Sequence, residues 1–240
     1  MARLPRRILP ILAAICAGLA AATAVRATVG GPPDPAPPPP APAPPTIEPP
    51  AVERVFPPIH WHRCRSVGKP WAGRLVRGTR LPREGQDFFT WDPAKKRTPN
   101  RWWRRYACEF TIRKLLRVLR GYRREFPDAP RGGIGDLSRP GGGRFGKRFG
   151  GLGHASHQNG VDVDVYYARL DGMERAPRRV DQIDRELAQE LVDRFVRAGA
   201  SYVFVGPLTG LTGPRKVVQK LSHHDNHVHV RFRVPRSRRR

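Results

Sequence analysis

Six of the eight histidines fall into two short clusters, His154 with His157 and then His223, His224, His227 and His229. The first cluster reads GHASHQNGVDVD, which sets His157 seven residues before Asp164 with a turn-permitting Gly160 between them. The second reads HHDNHVHVRF and places His227 and His229 at i and i+2. Two imidazoles and one carboxylate suit zinc, with bonds of about 2.0–2.2 Å, and three protein ligands leave a fourth position for water. If the two stretches lie side by side, His157, Asp164 and His229 can converge on one such ion. An open position means catalysis, because bound water is acidified and a carbonyl is polarised. His227, one pleat from His229, would receive a proton or hydrogen-bond a developing oxyanion. Asp162 shares a face with Asp164 and competes with it as ligand, or stands behind it as a partner of the ligands. A lone histidine at a strand end is usually a satisfied polar residue. Two clusters, each on the polar side of an apolar-backed run, shift the balance towards metal.

The elements that must position these groups are legible from periodicity. Residues 161–167 alternate strictly, with Val161, Val163 and Val165 on one face and Asp162, Asp164 and Tyr166 on the other. Residues 227–234 do the same, with Val228, Val230, Phe232 and Val234 set against His227, His229, Arg231 and Arg233. Each strand therefore offers one side to a core and one to chemistry. Apolar residues at Ile112, Leu115, Leu116, Leu119, Tyr122 and Phe126 recur at helical spacing across 106–126, and Pro127 ends the pattern. A second helix is predicted over 182–198, with Asp181 as its N-cap and Gly199 as its terminator. Shorter extended runs at 133–137 and 202–205 complete an α+β domain: a small antiparallel sheet carrying a zinc site, flanked by helices.

Outside that domain the composition changes. Residues 1–31 read as a signal peptide or N-terminal anchor, since Arg3, Arg6 and Arg7 precede an apolar run from Ile8 to Val25. Cys16 follows Ile15 rather than the small residue a lipid-attachment signal needs. Residues 32–58 form a Pro-rich linker whose fixed φ angles favour extended polyproline geometry. The folded domain that carries the zinc site is placed at 59–235, and 236–240 form a basic tail. The formal charge of +25 recruits polyanions without choosing among them. An exported chain meets anionic envelope polymers and lipid headgroups before nucleic acid, so no specific nucleic-acid partner is expected. Cys64 and Cys108 either pair, as an oxidising compartment permits, or remain buried thiols.

Three blocks, GDLSRPGGGRF (135–145), GHASHQNGVDVDVYY (153–167) and HDNHVHVRF (224–232), resemble the penicillin-insensitive murein endopeptidases. That family lies within the wider D-Ala-D-Ala metallopeptidase, lysostaphin and hedgehog group, and the resemblance covers about residues 64–235. It implies a hedgehog-like or D,D-peptidase-like fold. In the group pattern S-x-H-x-x-G-x-x-x-D the last residue is the metal-binding Asp, which selects Asp164 over Asp162, and the second His of H-x-H supplies the third ligand, His229. The resemblance further implies that His227 and His224 act beside the metal and that His154 lies at the site, as a contact to a second metal. The implied activity is hydrolysis of D-alanyl cross-links to diaminopimelate in peptidoglycan, in the periplasm or outside the cell. One departure stands out: residues 168–222 hold no histidine, which argues against a second metal site.

Two signals are set aside. Gly141 to Lys147 spells G-x-x-x-x-G-K, but Arg148 occupies the magnesium-ligating Ser/Thr position and more glycine follows instead of a helix, so a surface loop or a lid is the better reading. Trp102 and Trp103 read as half core and half surface rather than a base-stacking platform. Within the enzyme class the rival is a D,D-carboxypeptidase. Outside it the rival is an inactive envelope-binding module, which would be expected to lose His224 or His227.

Overall fold

The computed structural model describes residues 54–149 and 154–235. The signal or anchor segment, nearly all of the Pro-rich linker and the basic tail lie outside the described residues. Thirteen regular elements follow in order: β1 (Arg65–Lys69), β2 (Ala72–Val76), β3 (Thr79–Arg80), β4 (Glu84–Gly85), β5 (Phe88–Thr90), β6 (Tyr106–Ala107), α1 (Glu109–Glu125), β7 (Gly132–Ile134), β8 (Asp162–Tyr166), α2 (Arg185–Arg197), β9 (Ala200–Val205), β10 (Val218–Lys220) and β11 (His227–Phe232). No described helix is long and apolar enough to cross a membrane.

Seven strands form the main sheet in the order β10-β9-β11-β8-β7-β5-β4. Its centre, β9-β11-β8-β7, is antiparallel as expected, while β10-β9 and β5-β7 add parallel pairs at the flanks. Two-stranded ladders, β1-β2 and β3-β6, lie beside it. The alternation in the two central strands has the predicted consequence. Val163, Val165, Val228 and Val230 are buried in one core with Ile112, Leu115 and Leu119 of α1 and with Leu191, Val192 and Phe195 of α2. Both helices therefore cover the apolar face. Each of these aliphatic side chains stabilises by about 1.5–3 kcal/mol on leaving water.

The helix ends are set locally. Glu109 in the first turn and Arg123 and Arg124 in the last turn of α1 complement its dipole. The second helix starts later than its periodicity suggests. The N-cap is Asp184, whose carboxylate accepts the Leu187 N–H at 3.0 Å, while 180–182 form a separate 3₁₀ turn containing Asp181. Ile183 is buried just ahead of the cap, which explains why it fitted the helical stripe without belonging to the helix. Gly199, with φ of 75°, ends α2 as predicted. Cys64 and Cys108 form a disulfide that pins the entering chain to the start of α1.

Gly141, Gly142 and Gly143 all have positive φ. Gly142 passes so close to Leu75 and Gln158 that a β-carbon there would clash with backbone atoms of both. This run packs against β2 and leads to a single 3₁₀ turn, so the phosphate-loop resemblance has no helix behind it.

Candidate metal centre

Register alone brings two of the predicted ligands together. β8 and β11 pair antiparallel with His229 directly opposite Asp164 and Arg231 opposite Asp162. Opposed side chains start about 5 Å apart, and here His229 Nδ1 reaches to 3.2 Å from Asp164 Oδ1.

His157 arrives from the loop preceding β8. Its φ of 64° lies in the left-handed region, which costs a residue bearing a β-carbon about 1–2 kcal/mol. The surroundings hold it there. Its N–H donates to Asp162 Oδ2 at 2.9 Å. The carbonyl of Gly160, three residues on, accepts the Cys108 N–H and the Thr111 hydroxyl, each at 2.9 Å, which ties the turn to the start of α1. The outcome is that His157 Nε2 stands 3.2 Å from Asp164 Oδ1 and 3.2 Å from His229 Nδ1.

The three donor atoms thus form a triangle with equal sides. A tetrahedral centre with bonds of about 2.0 Å separates its ligands by about 3.3 Å, so the triangle has the size of one face of a zinc site. Asp164 Oδ1 is buried and makes no hydrogen bond of good geometry, the state of an oxygen set for a cation rather than for a donor. The Cys64, Cys108 and Glu109 grouping offers no such site, because its sulfurs are bonded to each other.

Charge distribution agrees with a cation site. Burial works against the Asp164 carboxylate, but the histidines around it, led by His157 and His227, hold it well below the usual carboxylate range. Burial likewise works against the His229 imidazolium, and the carboxylates of Asp162 and Asp164 more than offset it, raising that group to about 9. Burial lowers His157. In the metal-free protein the positive charge favoured by the two carboxylates is a proton on His229. A divalent ion held by the same groups would supply that charge instead.

Asp162 lies outside the triangle and contacts two of its members. Beyond its bond to the His157 backbone, its Oδ1 faces His229 Nε2 at 3.2 Å and accepts from Arg231 Nε at 2.7 Å. This contact leaves the His229 Nδ1 lone pair for the metal, the arrangement in which a carboxylate fixes the tautomer of a ligand histidine.

His227 lies alongside, its Nε2 3.8 Å from Asp164 Oδ1. Burial lowers it to about 4, so it is neutral near pH 7. Its Nδ1 faces Asn226 Oδ1 at 2.7 Å, which makes Nδ1 the donor and leaves a lone pair on Nε2. His224 stacks near it, ring centroids 4.7 Å apart, with its Nδ1–H donated to the Ser222 carbonyl at 2.8 Å. Burial lowers His224 as well. His154 joins the cluster, its ligand atom within 4.8 Å of those of His157 and Asp164. Yet its Nε2 is engaged by Asp136 at 2.5 Å and its Nδ1 is 4.0 Å from Asp164, so it sits outside the 3.2 Å triangle. Despite burial, Asp136 raises the pKa of His154, and Asp136 is itself clamped by the fully buried Arg104 and by Asn100.

These groups open into a cleft of about 670 Å³ walled by Trp71, Tyr166, Phe204, His223 and Arg231. A larger cleft of about 880 Å³ lies between the end of α1 and the start of α2 and carries none of the site histidines. Volume is thus a poor guide to this site, and donor geometry is the better one.

The family model for penicillin-insensitive murein endopeptidases matches residues 66–201. The chain belongs to that family. The match spans more than half the chain and takes in Asp136, His154, His157 and Asp164, while the β11 histidines fall beyond it. No curated protein matches the chain. As a murein endopeptidase of a metallopeptidase family, the protein has peptidoglycan as its substrate class.

Several residues around the site escaped the sequence reading, among them Arg231, Asp136, Trp71 and Asn226. Arg231 stands two places after His229 on the same polar face, and that alternation could have flagged it. Asp136 lies inside the 135–145 block, but its partners Arg104 and His154 are distant in the chain and its role is not legible there, and Trp71 carries no local signal.

Proposed function

We propose that the protein is an exported, zinc-dependent D,D-endopeptidase that hydrolyses D-alanyl cross-links in murein, with His157, Asp164 and His229 as ligands and His227 and His224 as catalytic groups. The observation that carries this reading is the equal-sided 3.2 Å triangle at the head of an open cleft. Zinc is the ion this donor set suits, and when bound it would acidify a water molecule and polarise the scissile carbonyl.

The protein's own groups divide the remaining work. Asp162 orients His229, and the strained turn orients His157. His227 Nε2, neutral and with its other nitrogen satisfied by Asn226, takes up the proton lost by the attacking water and returns it to the leaving amine. Its tautomer favours this base role over donation to an oxyanion. His224, its ring centroid 4.7 Å from that of His227, stands on the same side of the site, where its neutral imidazole can contact the substrate. Trp71 and Phe204 give the cleft apolar walls against which a peptide cross-link can lie.

The organisation we propose is a signal peptide or anchor over 1–31, a Pro-rich linker over 32–58, the catalytic domain over 59–235 and a basic tail over 236–240. That order places the enzyme in the periplasm or outside the cell, among anionic envelope polymers. Purified muropeptide dimers provide the test. Conversion to monomers, abolished by chelator and restored by zinc, is the expected result. Release of terminal D-Ala alone would instead identify a carboxypeptidase, and metal uptake without any hydrolysis would identify a binding module.

A further inference from the structure

The outward face of α1 carries Arg113, Arg117, Arg120 and Arg124, all exposed. Their spacing of four, three and four residues sets them in one line about 16 Å long, on the side of the helix opposite Ile112, Leu115 and Leu119. Opposite charge is scarce along it: Asp87 approaches Arg120 at 3.8 Å. The α2 surface is different, since Arg194 and Arg197 are both paired with Glu190 and Arg194 also with Glu125. At one end of the line the half-exposed Trp61 ring stacks on Arg113, 3.9 Å from ring centroid to guanidinium carbon.

Two further placements limit what this ridge can meet. The helices cover the apolar face of the sheet and the histidines occupy the other, so the ridge points away from the cleft and cannot serve a substrate bound there. The chain also enters the domain along this helix. Phe56 and Ile59 line a hollow with Leu116 and Arg120, Trp61 lies on Arg113, and Cys64 is bonded to Cys108 just before the helix begins. Upstream of that entry the sequence holds the Pro-rich stretch and the apolar run from Ile8 to Val25.

We infer that the α1 arginine ridge, with Trp61 at its end, docks on a bilayer bearing anionic headgroups and so presents the catalytic cleft to the wall. Guanidinium groups in a row next to an amphipathic ring suit the headgroup layer. The inference rests on the exported reading of the chain and goes beyond its peptidase activity.

The full chain is reconstituted into vesicles of phosphatidylglycerol and phosphatidylcholine, with about one anionic lipid in three, and in parallel into pure phosphatidylcholine. Arginine modification by phenylglyoxal is then followed site by site by mass spectrometry. Ridge arginines should react at least about fivefold more slowly on the anionic vesicles, with protection lost in high salt, while Arg97 and Arg144 should be unaffected. In a full chain carrying R117Q and R120Q, protection of Arg113 and Arg124 should fall. Equal rates on both vesicles, protection spread evenly over the surface, or protection by murein sacculi but not by anionic vesicles would each overturn the inference. Muropeptide hydrolysis measured in the same samples separates the two readings. Protection without hydrolysis would sink only the peptidase, and hydrolysis without protection only the docking.

Discussion

Asp162 Oδ1 stands 3.2 Å from His229 Nε2, on the far side of the imidazole from the nitrogen that faces Asp164. The same carboxylate accepts the His157 N–H, so one buried side chain positions two of the proposed ligands. Asp162→Asn should keep the fold but weaken metal affinity by about 10–100-fold, because the amide has no charge and only one acceptor oxygen for the His229 and Arg231 donors and the His157 N–H. Competition with a coloured chelator reads this directly. Unchanged affinity would mean that Asp162 only neutralises Arg231.

His227→Ala separates binding from turnover. The residue is outside the triangle, so metal content should remain at the wild-type level while kcat on muropeptide dimers drops by about 10²–10⁴-fold. His157→Ala should lose both together. If the His227 variant kept its rate, the proton would have to travel by another group, with His224 next in line.

The reach of the sequence can be judged from these same residues. Alternation in two strands separates an apolar side from a chemical one, which exposes Asp162, Asp164 and His229 to view, and the structure keeps that orientation; His157 stands in the loop ahead of β8, and the choice of Asp164 over Asp162 rests on the family pattern. The cap of α2 was misplaced at Asp181 because Ile183, buried ahead of the helix, fits helical spacing; a single hydrogen bond from Leu187 to Asp184 decides the start. The pairing of Asp136 with Arg104 could not be seen, because it spans 32 positions. The parallel flanks of the sheet are illegible for a similar reason, since β5 and β10 are only three residues each, too short for periodicity.

Gly160 couples stability to the site. Its φ is 80°, and a β-carbon would come within 2.7 Å of Leu75 Cδ1 and 3.0 Å of the Cys108 nitrogen. Gly160→Ala should therefore cost more than the roughly 1 kcal/mol of a left-handed backbone alone, and by shifting the turn it should also weaken metal binding. Gly172→Ala is the control, with φ of 67° and nothing within 4 Å. Equal losses of thermal stability in the two variants would show that the close contacts at Gly160 relax without strain.

The Cys64–Cys108 bond closes a loop with a sequence separation of 44. On chain entropy such a loop is worth about 4 kcal/mol at most. Mild reduction should lower Tm clearly, yet leave the three ligands in place, because the Gly160 carbonyl is held by the Cys108 N–H and the Thr111 hydroxyl rather than by sulfur. Hydrolysis by the reduced enzyme, assayed well below its new Tm, should match the oxidised enzyme. Loss of metal on reduction would show that the disulfide, not the hydrogen bonds, fixes the turn.

Metal removal should silence the enzyme without unfolding it, since a proton on His229 can replace the cation as partner of Asp162 and Asp164. The pH dependence then has a definite sign. In the metal-free protein His229 is raised to about 9, above its unfolded value of about 6.5. A raised imidazole contributes stability that is complete below the unfolded pKa and is lost as pH climbs through the folded one. Tm of the chelator-treated protein should accordingly fall between about pH 6.5 and 9. The metal-loaded protein, in which His229 is already neutral, should lack that decline, and calorimetry of both forms over this range compares them. Parallel curves for the two forms would mean that His229 carries no proton when the metal is gone, and that the Asp162–His229 contact is a neutral hydrogen bond.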